Sequence, residues 1–287
     1  MTLGRLLITG GSSYLGQHLV PRALAQASAA LLYTYFSHDP LALPQARQLD
    51  LRDGAAVRAL VDAFRPEIII HTAGSNRPVE TMDQVIRLGA THVTEAARAH
   101  GARLIHLSTD VVFDGRNAPY REEDSPRPLH AYGRAKAAAE EIVRPYPNHV
   151  IVRTSLIYGL QQIDRGTGWI RDALRAGRPV TLFTDQIRNP VWAPALSQAC
   201  LELGALSYTG VLHVAGAQRL SRAEFGQRML DWWGITPRET VRFGPSDPER
   251  WPQDCTLAVQ RARRLLQTPL PGVDAVLDRA YRQREPA

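Results

Sequence analysis

Tyr132 and Lys136 stand at i and i+4 in an alanine-rich stretch that predicts a helix over residues 131–143, so their side chains share one face. A free phenol releases its proton only near pH ~10. A neighbouring ammonium favours the phenolate and lowers that value. Such a pair can protonate a carbonyl oxygen as hydride reaches its carbon, or deprotonate an alcohol in reverse. Lys136 is the only lysine among 34 lysine and arginine residues. Arginine suffices for a fixed positive charge, whereas lysine is a compact ammonium whose proton affinity can be tuned. Upstream, His106-Leu107-Ser108-Thr109-Asp110-Val111-Val112-Phe113-Asp114-Gly115 begins at the carboxyl end of a predicted strand. A hydroxyl there can hold a substrate oxygen, and the same residue types also suit the cap of a turn.

A second chemical signal precedes this one. Thr9-Gly10-Gly11-Ser12-Ser13-Tyr14-Leu15-Gly16 joins a predicted strand over residues 5–9 to a predicted helix over residues 15–27. Glycine at 10 and 16 permits a tight turn and close packing, so that helix amides face a pyrophosphate. The middle position of this GxxGxxG spacing is Ser13, whose hydroxyl can bond a phosphate oxygen instead. Gly10, Ser12, Ser13, Tyr14, Leu15 and Gly16 are therefore the expected cofactor loop. NAD-selective folds place a carboxylate after the second strand. Here that region reads Tyr33-Thr34-Tyr35-Phe36-Ser37-His38, and Asp39 comes late. With no carboxylate to repel a 2′-phosphate, and with Tyr35, Ser37 and His38 at hand, NADP(H) is expected over NAD(H).

Positioning these residues requires strands alternating with helices. Strands are predicted over 30–36, 47–50, 67–71, 103–107, 150–152 and 211–214, with helices over 54–64 and 82–100. This alternation is the signature of stacked βαβ units: an α/β Rossmann-type, doubly wound parallel sheet covered on both faces. Residues 1–160 are expected to form the dinucleotide-binding domain. Residues 161–287 are expected to be mainly a smaller substrate lobe at the carboxyl edge, with some segments returning to the sheet. Within it, residues 221–287 read as helices joined by a loop rich in proline and charge, Pro245 to Pro252.

Composition excludes several alternatives. With 287 residues, 44% of them hydrophobic and 22% charged, the chain can bury a sizeable core. The net charge of +6 comes from arginines scattered along the chain, without the aromatic-interleaved stripe of a nucleic-acid binder. A basic surface or an anionic small substrate is the better expectation. Cys200 and Cys255 form neither a disulfide framework nor a metal cluster. No apolar run approaches a membrane span, and the first residues lack a signal-peptide layout, so a cytoplasmic protein without membrane or metal is expected.

In these motifs the chain resembles the extended short-chain dehydrogenase/reductase superfamily, and within it the dTDP-4-dehydrorhamnose reductase family. The likeness rests on Thr9 to Gly16, on Leu107 to Gly115, and on Pro119-Tyr120-Arg121-Glu122-Glu123-Asp124 leading to Tyr132-Gly133-Arg134-Ala135-Lys136. Arg153-Thr154-Ser155, Thr184-Asp185-Gln186 and Pro252-Gln253-Asp254-Cys255-Thr256-Leu257 extend it. The resemblance implies hydride transfer to the 4-keto carbon of a nucleotide-linked 6-deoxysugar. It assigns Tyr132 as proton donor, Lys136 as its modulator and ribose anchor, and Thr109 as the hydroxyl near the substrate oxygen. Asp110 would lie beside the sugar, Asp50 and Leu51 beside the adenine, and Thr72, Ala73 and Gly74 along the cofactor path. Val111 and Leu156, both on the substrate side, replace a family tyrosine and tryptophan, and Gly89 replaces a family asparagine. These departures leave two other readings: a non-catalytic regulatory subunit similar to the methionine adenosyltransferase beta subunit, and a sugar-nucleotide epimerase. A homodimer is common in the superfamily.

Overall fold

Ile68, Ile69 and Ile70 are all buried in one strand, although successive strand side chains point to opposite faces of a sheet. Such a run needs cover on both faces. The computed structural model, which describes residues 4–26, 30–74, 79–236 and 238–284, supplies that cover. In the first half, β1 (Arg5–Thr9), β2 (Ala30–Tyr35), β3 (Ala46–Gln48), β4 (Ile68–His71), β5 (Arg103–Thr109) and β6 (His149–Thr154) alternate with helices. These are α1 (Tyr14–Ala25), α2 (Gly54–Phe64), α3 (Val79–His100) and α4 (Ala131–Val143). Beyond β6 come β7 (Ile157–Tyr158), α5 (Arg165–Arg175), β8 (Val180–Phe183), β9 (Ile187–Arg188), β10 (Val191–Trp192) and α6 (Ala193–Ala205). The chain continues through β11 (Gly210–His213), β12 (Leu220–Ser221), α7 (Arg222–Trp232), β13 (Val241–Gly244), α8 (Gln260–Leu265) and α9 (Val273–Arg284).

The main sheet runs β11-β6-β5-β4-β1-β2-β3, with every pairing parallel. The fold is thus the Rossmann-type α/β class expected from the sequence. Strand order reverses between β1 and β4, which opens a crevice at the carboxyl ends of those strands. Leu6, Ile8, Val150 and Val152 face α1 and α6, and Leu7, Ile69, Leu104 and Ile151 face the α2–α4 layer. β5 runs past the expected end at Leu107, because Ser108 and Thr109 still pair with Arg153 and Thr154 of β6. Thr109 therefore sits at the lip of the crevice. The expected end of the first helix, Ala27, lies outside the described residues.

A smaller lobe closes over this edge. β8 pairs with β13 and β9 with β12, and with α5, α7 and α9 they enclose two further apolar clusters. One centres on Tyr158, Phe225, Met229 and Trp232, the other on Ile170, Leu174, Leu182 and Leu230. α6 and β11 return to the sheet layers, with Val211 in register with Ile151. α8 also packs there through Ala262. Cys200 and Cys255 are buried free thiols. Among the described residues no helix is long and apolar enough to cross a membrane, and no group of three or more potential ligands could hold a metal.

What fixes α4 in this frame is a buried charge pair. Tyr132, Lys136 and Glu140 repeat at i, i+4 and i+8, so they form one stripe along the helix. Glu140 and Arg153 are 0% and 1% exposed, with Arg153 Nη2 at 2.7 Å from Glu140 Oε2. Ser108 Oγ donates to the other carboxylate oxygen, and the Arg153 guanidinium lies 5.0 Å from the centroid of the Phe113 ring. β5, β6 and α4 are joined at this point. Glu140→Ala, which strands the guanidinium in the core, is expected to cost ~3–5 kcal/mol of stability by denaturant unfolding, and Arg153→Met a comparable amount.

Candidate functional site

The glycine loop is shaped by what lies behind it. Gly10 has φ +80°, and a Cβ there would stand 2.7 Å from the Ala73 nitrogen. A Cβ on Gly16 would stand 2.4 Å from the Gly11 carbonyl. Only glycine lets β1, the loop and α1 approach this closely. Thr72 Oγ1 is 3.0 Å from both the Thr9 and Gly10 carbonyls, binding the loop to the end of β4. Ser13 is the N-cap of α1: its Oγ accepts the Gly16 N–H at 3.0 Å and lies 3.2 Å from Thr72 Oγ1. The expected phosphate contact of Ser13 thus competes with capping. Leu15 is core, leaving only its backbone for a ligand, and Tyr14 donates to the Gln162 carbonyl of the lobe. A turn packed this closely at a helix N-terminus fits the pyrophosphate of a dinucleotide.

At the carboxyl end of β2, Phe36, Ser37 and His38 are exposed and Tyr35 is half-buried. Asp39 turns back, accepting the Tyr33 hydroxyl at 2.7 Å and the Leu41 amide at 3.1 Å. Its carboxylate is therefore engaged within its own turn. Leu51 is buried, and Asp50 holds Arg52 at 2.6 Å. The Arg52 guanidinium lies over the Phe36 ring at 5.5 Å. Sequence reasoning missed Arg52, because nothing local marks one arginine among so many.

At the centre of the crevice Lys136 is 3% exposed and its Nζ donates to the Leu107 carbonyl of β5. A Cβ on Gly74, at the end of β4, would stand 3.8 Å from Nζ. Behind it the His71 and His106 rings lie 5.1 Å apart, and His71 Nδ1 is 2.6 Å from Thr9 Oγ1. Burial and the lysine charge keep both imidazoles neutral, with His71 pushed down to about 3. Burial lowers Lys136 to about 8, opposed by the Glu140 carboxylate.

Tyr132 behaves differently from the sequence expectation. Burial, with the Asp110 charge adding to it, raises its phenol to about 12. The expected lowering by the ammonium is not seen: Lys136 is directed at the Leu107 carbonyl, and burial and the Asp110 charge both push the phenol upward. Tyr132 is thus a firmly protonated acid. Thr109 Oγ1 lies 3.2 Å from Asp110 Oδ1 and 3.4 Å from the Val111 amide, so it both caps the turn and lines the crevice. Asp110 is buried and raised above the usual carboxylate range by desolvation, against the pull of Arg188 and Ser155. Ser155 Oγ donates to it at 2.6 Å, and Arg188 Nε is 3.6 Å away.

Val111 and Leu156 are both half-buried, and Leu156 packs against the Tyr158 cluster of the lobe. Arg188, His130 and Trp251 were not legible in the sequence. His130 caps α4 and its ring stacks on Tyr132 at 6.4 Å, with Trp251 beyond it at 5.4 Å. The proline-rich loop was visible as a loop, but its destination was not.

The chain is similar to several known proteins. The family profile described as RmlD substrate binding domain matches residues 4–284. A dTDP-4-keto-6-deoxy-D-glucose reductase of Streptomyces niveus is 32% identical over 255 residues, covering 85% of this chain and 83% of its own. The methionine adenosyltransferase 2 subunit beta of Danio rerio is 30% identical over 244 residues, covering 80% and 74%. Among solved structures, a hypothetical dTDP-4-dehydrorhamnose reductase from Sulfolobus tokodaii superposes with a TM-score of 0.80 at 28% identity, covering 94% and 97%.

The depressed Lys136 sets a pH dependence. Between about 8 and the usual 10.5 the unfolded chain binds the proton that the folded chain has lost, so stability rises with pH through that window. Below it, burying the ammonium is a standing cost. Lys136→Met is expected to stabilise the protein at pH 7 by up to ~3 kcal/mol, less the lost hydrogen bond to Leu107, with the gain vanishing above pH ~10. Unfolding at pH 7 and pH 10 measures both.

Proposed function

This chain belongs to the RmlD substrate binding domain family, matched over residues 4–284, and on that premise we propose an NADP(H)-dependent reductase of a nucleotide-linked 6-deoxyhexose, moving hydride to its 4-keto carbon. The observation that carries the proposal is the placement of Thr109 at the carboxyl end of β5, by the crevice where strand order reverses, with Lys136 bonded to the Leu107 carbonyl of the same strand, Tyr132 one turn before it on α4, and a glycine-built loop after β1. The likeness to a dTDP-4-keto-6-deoxy-D-glucose reductase supports the substrate class.

A dinucleotide held by the glycine loop would supply the hydride. Thr109 and Tyr132 hold the carbonyl oxygen, and Tyr132 gives its phenolic proton to that oxygen as charge develops there. A phenol held near pKa 12 stays protonated through the neutral range, ready to act as the acid. The Lys136 ammonium, anchored on Leu107, stabilises the phenolate left behind. That ammonium is charged below about pH 8 and neutral above it, so the reductive rate is expected to fall as pH rises through 8. Asp110, held by Ser155 and Arg188, lies beside the same oxygen pocket and can accept from a sugar hydroxyl. For the cofactor, Ser37, His38 and Arg52 offer donors to a 2′-phosphate, and Asp39 faces away. This supports NADP(H) over NAD(H).

The likeness to methionine adenosyltransferase 2 subunit beta favours a second reading, a cofactor-binding subunit without turnover. Tyr132→Phe separates the two. The reductase reading expects NADPH oxidation with a 4-keto-6-deoxy sugar nucleotide, reduced about 100- to 10,000-fold by the variant while the NADPH-induced rise in melting temperature persists. No turnover by the wild-type chain, together with a stable complex with a larger enzyme, would favour the subunit. Cofactor choice has its own test. Arg52→Ala is expected to weaken NADPH about tenfold or more and to leave NADH nearly unchanged, measured by titration calorimetry.

A further inference from the structure

The loop from Pro245 to Pro252 is held to the site at several points. Arg188, 3% exposed, donates from Nη1 to the Gln253 carbonyl at 2.7 Å and from Nη2 to the Pro252 carbonyl at 2.9 Å. Its Nε is 3.6 Å from Asp110 Oδ2. One buried guanidinium thus ties the carboxylate beside Thr109 to the backbone that follows Trp251. Asp185 accepts the Ser246 amide at 2.9 Å and the Gln253 side-chain amide at 3.2 Å, and the Asp254 amide donates to the Gly115 carbonyl at 3.1 Å.

What this stitching presents is an aromatic wall. The Trp251 ring lies 5.4 Å from the His130 ring at an interplanar angle of 59°, and His130 stacks on Tyr132 at 20°. Trp251 nonetheless remains 39% exposed. The exposed Arg250 lies 5.8 Å from the ring centroid, a surface side chain that a ligand can displace. His130 Nδ1 accepts the Gly133 N–H at 3.1 Å, which leaves the proton of the neutral ring on Nε2. Nε2 has no hydrogen-bond partner among the described residues. A neutral ring is favoured because burial lowers the imidazole below 6.5; Arg134 and Arg188 add to that effect and Asp110 opposes it. An exposed indole, a free N–H donor and the proton-donating phenol therefore follow one another along one side of the crevice.

We propose that Trp251 and His130 are the sugar-facing wall of the site, the indole taking the C–H face of the hexose ring and His130 Nε2–H donating to a ring hydroxyl. Both residues are specificity determinants: they select a pyranose over a small ketone without taking part in proton transfer. The inference rests on the nucleotide-sugar reading. An aromatic face suits a ring whose axial C–H groups form an apolar patch, while the polar edge of the same ring needs a donor at its side. The clamp by Arg188 makes the wall rigid with respect to Asp110 and Thr109.

The test is calorimetric titration of dTDP-glucose onto the protein saturated with NADP⁺, comparing wild type, Trp251→Ala, Trp251→Phe and His130→Asn. Trp251→Ala is expected to weaken binding about tenfold, and Trp251→Phe about twofold. His130→Asn keeps a helix-capping acceptor, so its melting temperature should hold while binding weakens about fivefold. The NADP⁺-induced thermal shift should be the same in all four. Equal binding by wild type and Trp251→Ala, or no binding by wild type, would overturn the inference. If wild type binds through Trp251 but oxidises no NADPH with a keto sugar, the wall stands and the reductase reading fails. If Trp251→Ala binds normally in an active reductase, only the wall fails.

Discussion

The contact of Glu140 with Arg153 and Ser108 determines how α4 lies against the sheet. A helix resting on apolar contacts alone can rotate or slide by a few tenths of an ångström at small cost. A carboxylate buried at 0% exposure cannot, because any movement strips it of its guanidinium and hydroxyl partners. The stripe that carries Glu140 also carries Lys136 and Tyr132, so the deep charge pair sets the angle at which the ammonium meets Leu107 and the phenol meets the crevice.

From that anchor the site divides by the strand-order reversal. On one side, β1, α1 and the end of β4 make a close-packed turn through Gly10, Gly16 and Ala73. On the other, β5, the Asp110 turn and the lobe meet through Arg188. Arg188 reaches the Ile187, Pro252 and Gln253 carbonyls while facing Asp110, so a single side chain couples the lobe to the turn after β5. Lobe and sheet need not move independently for chemistry to be aligned. Burial supplies the remaining tuning: it holds the phenol protonated, brings the ammonium towards neutrality and silences two histidines that would otherwise compete for charge.

Much of this was legible because it is local. The isoleucine run of β4, the glycine spacing before α1 and the i, i+4 relation of Tyr132 and Lys136 are written within short windows, and the parallel sheet follows from them. Glu140 was readable in principle, as the next residue of the same helical stripe, but its partner Arg153 comes from another element. Arg188 and Trp251 gain their meaning from contacts across long sequence separations; Arg52 and His130 have local partners in Asp50 and Tyr132, but no pattern in one chain marks those pairs as part of a site. The phenol shift was misjudged for a related reason: spacing reveals a neighbouring charge, whereas desolvation depends on everything packed around the ring.

Net hydride transfer to a sugar carbon can be followed by isotopic labelling. The protein would be incubated with NADPH deuterated at the reactive C4 position and a dTDP-4-keto-6-deoxyhexose, and the sugar product analysed by mass spectrometry and NMR. One deuterium at sugar C4 is expected for each NADP⁺ formed. An unlabelled sugar with the cofactor returned unchanged would contradict it and leave an epimerase or a binding subunit in its place.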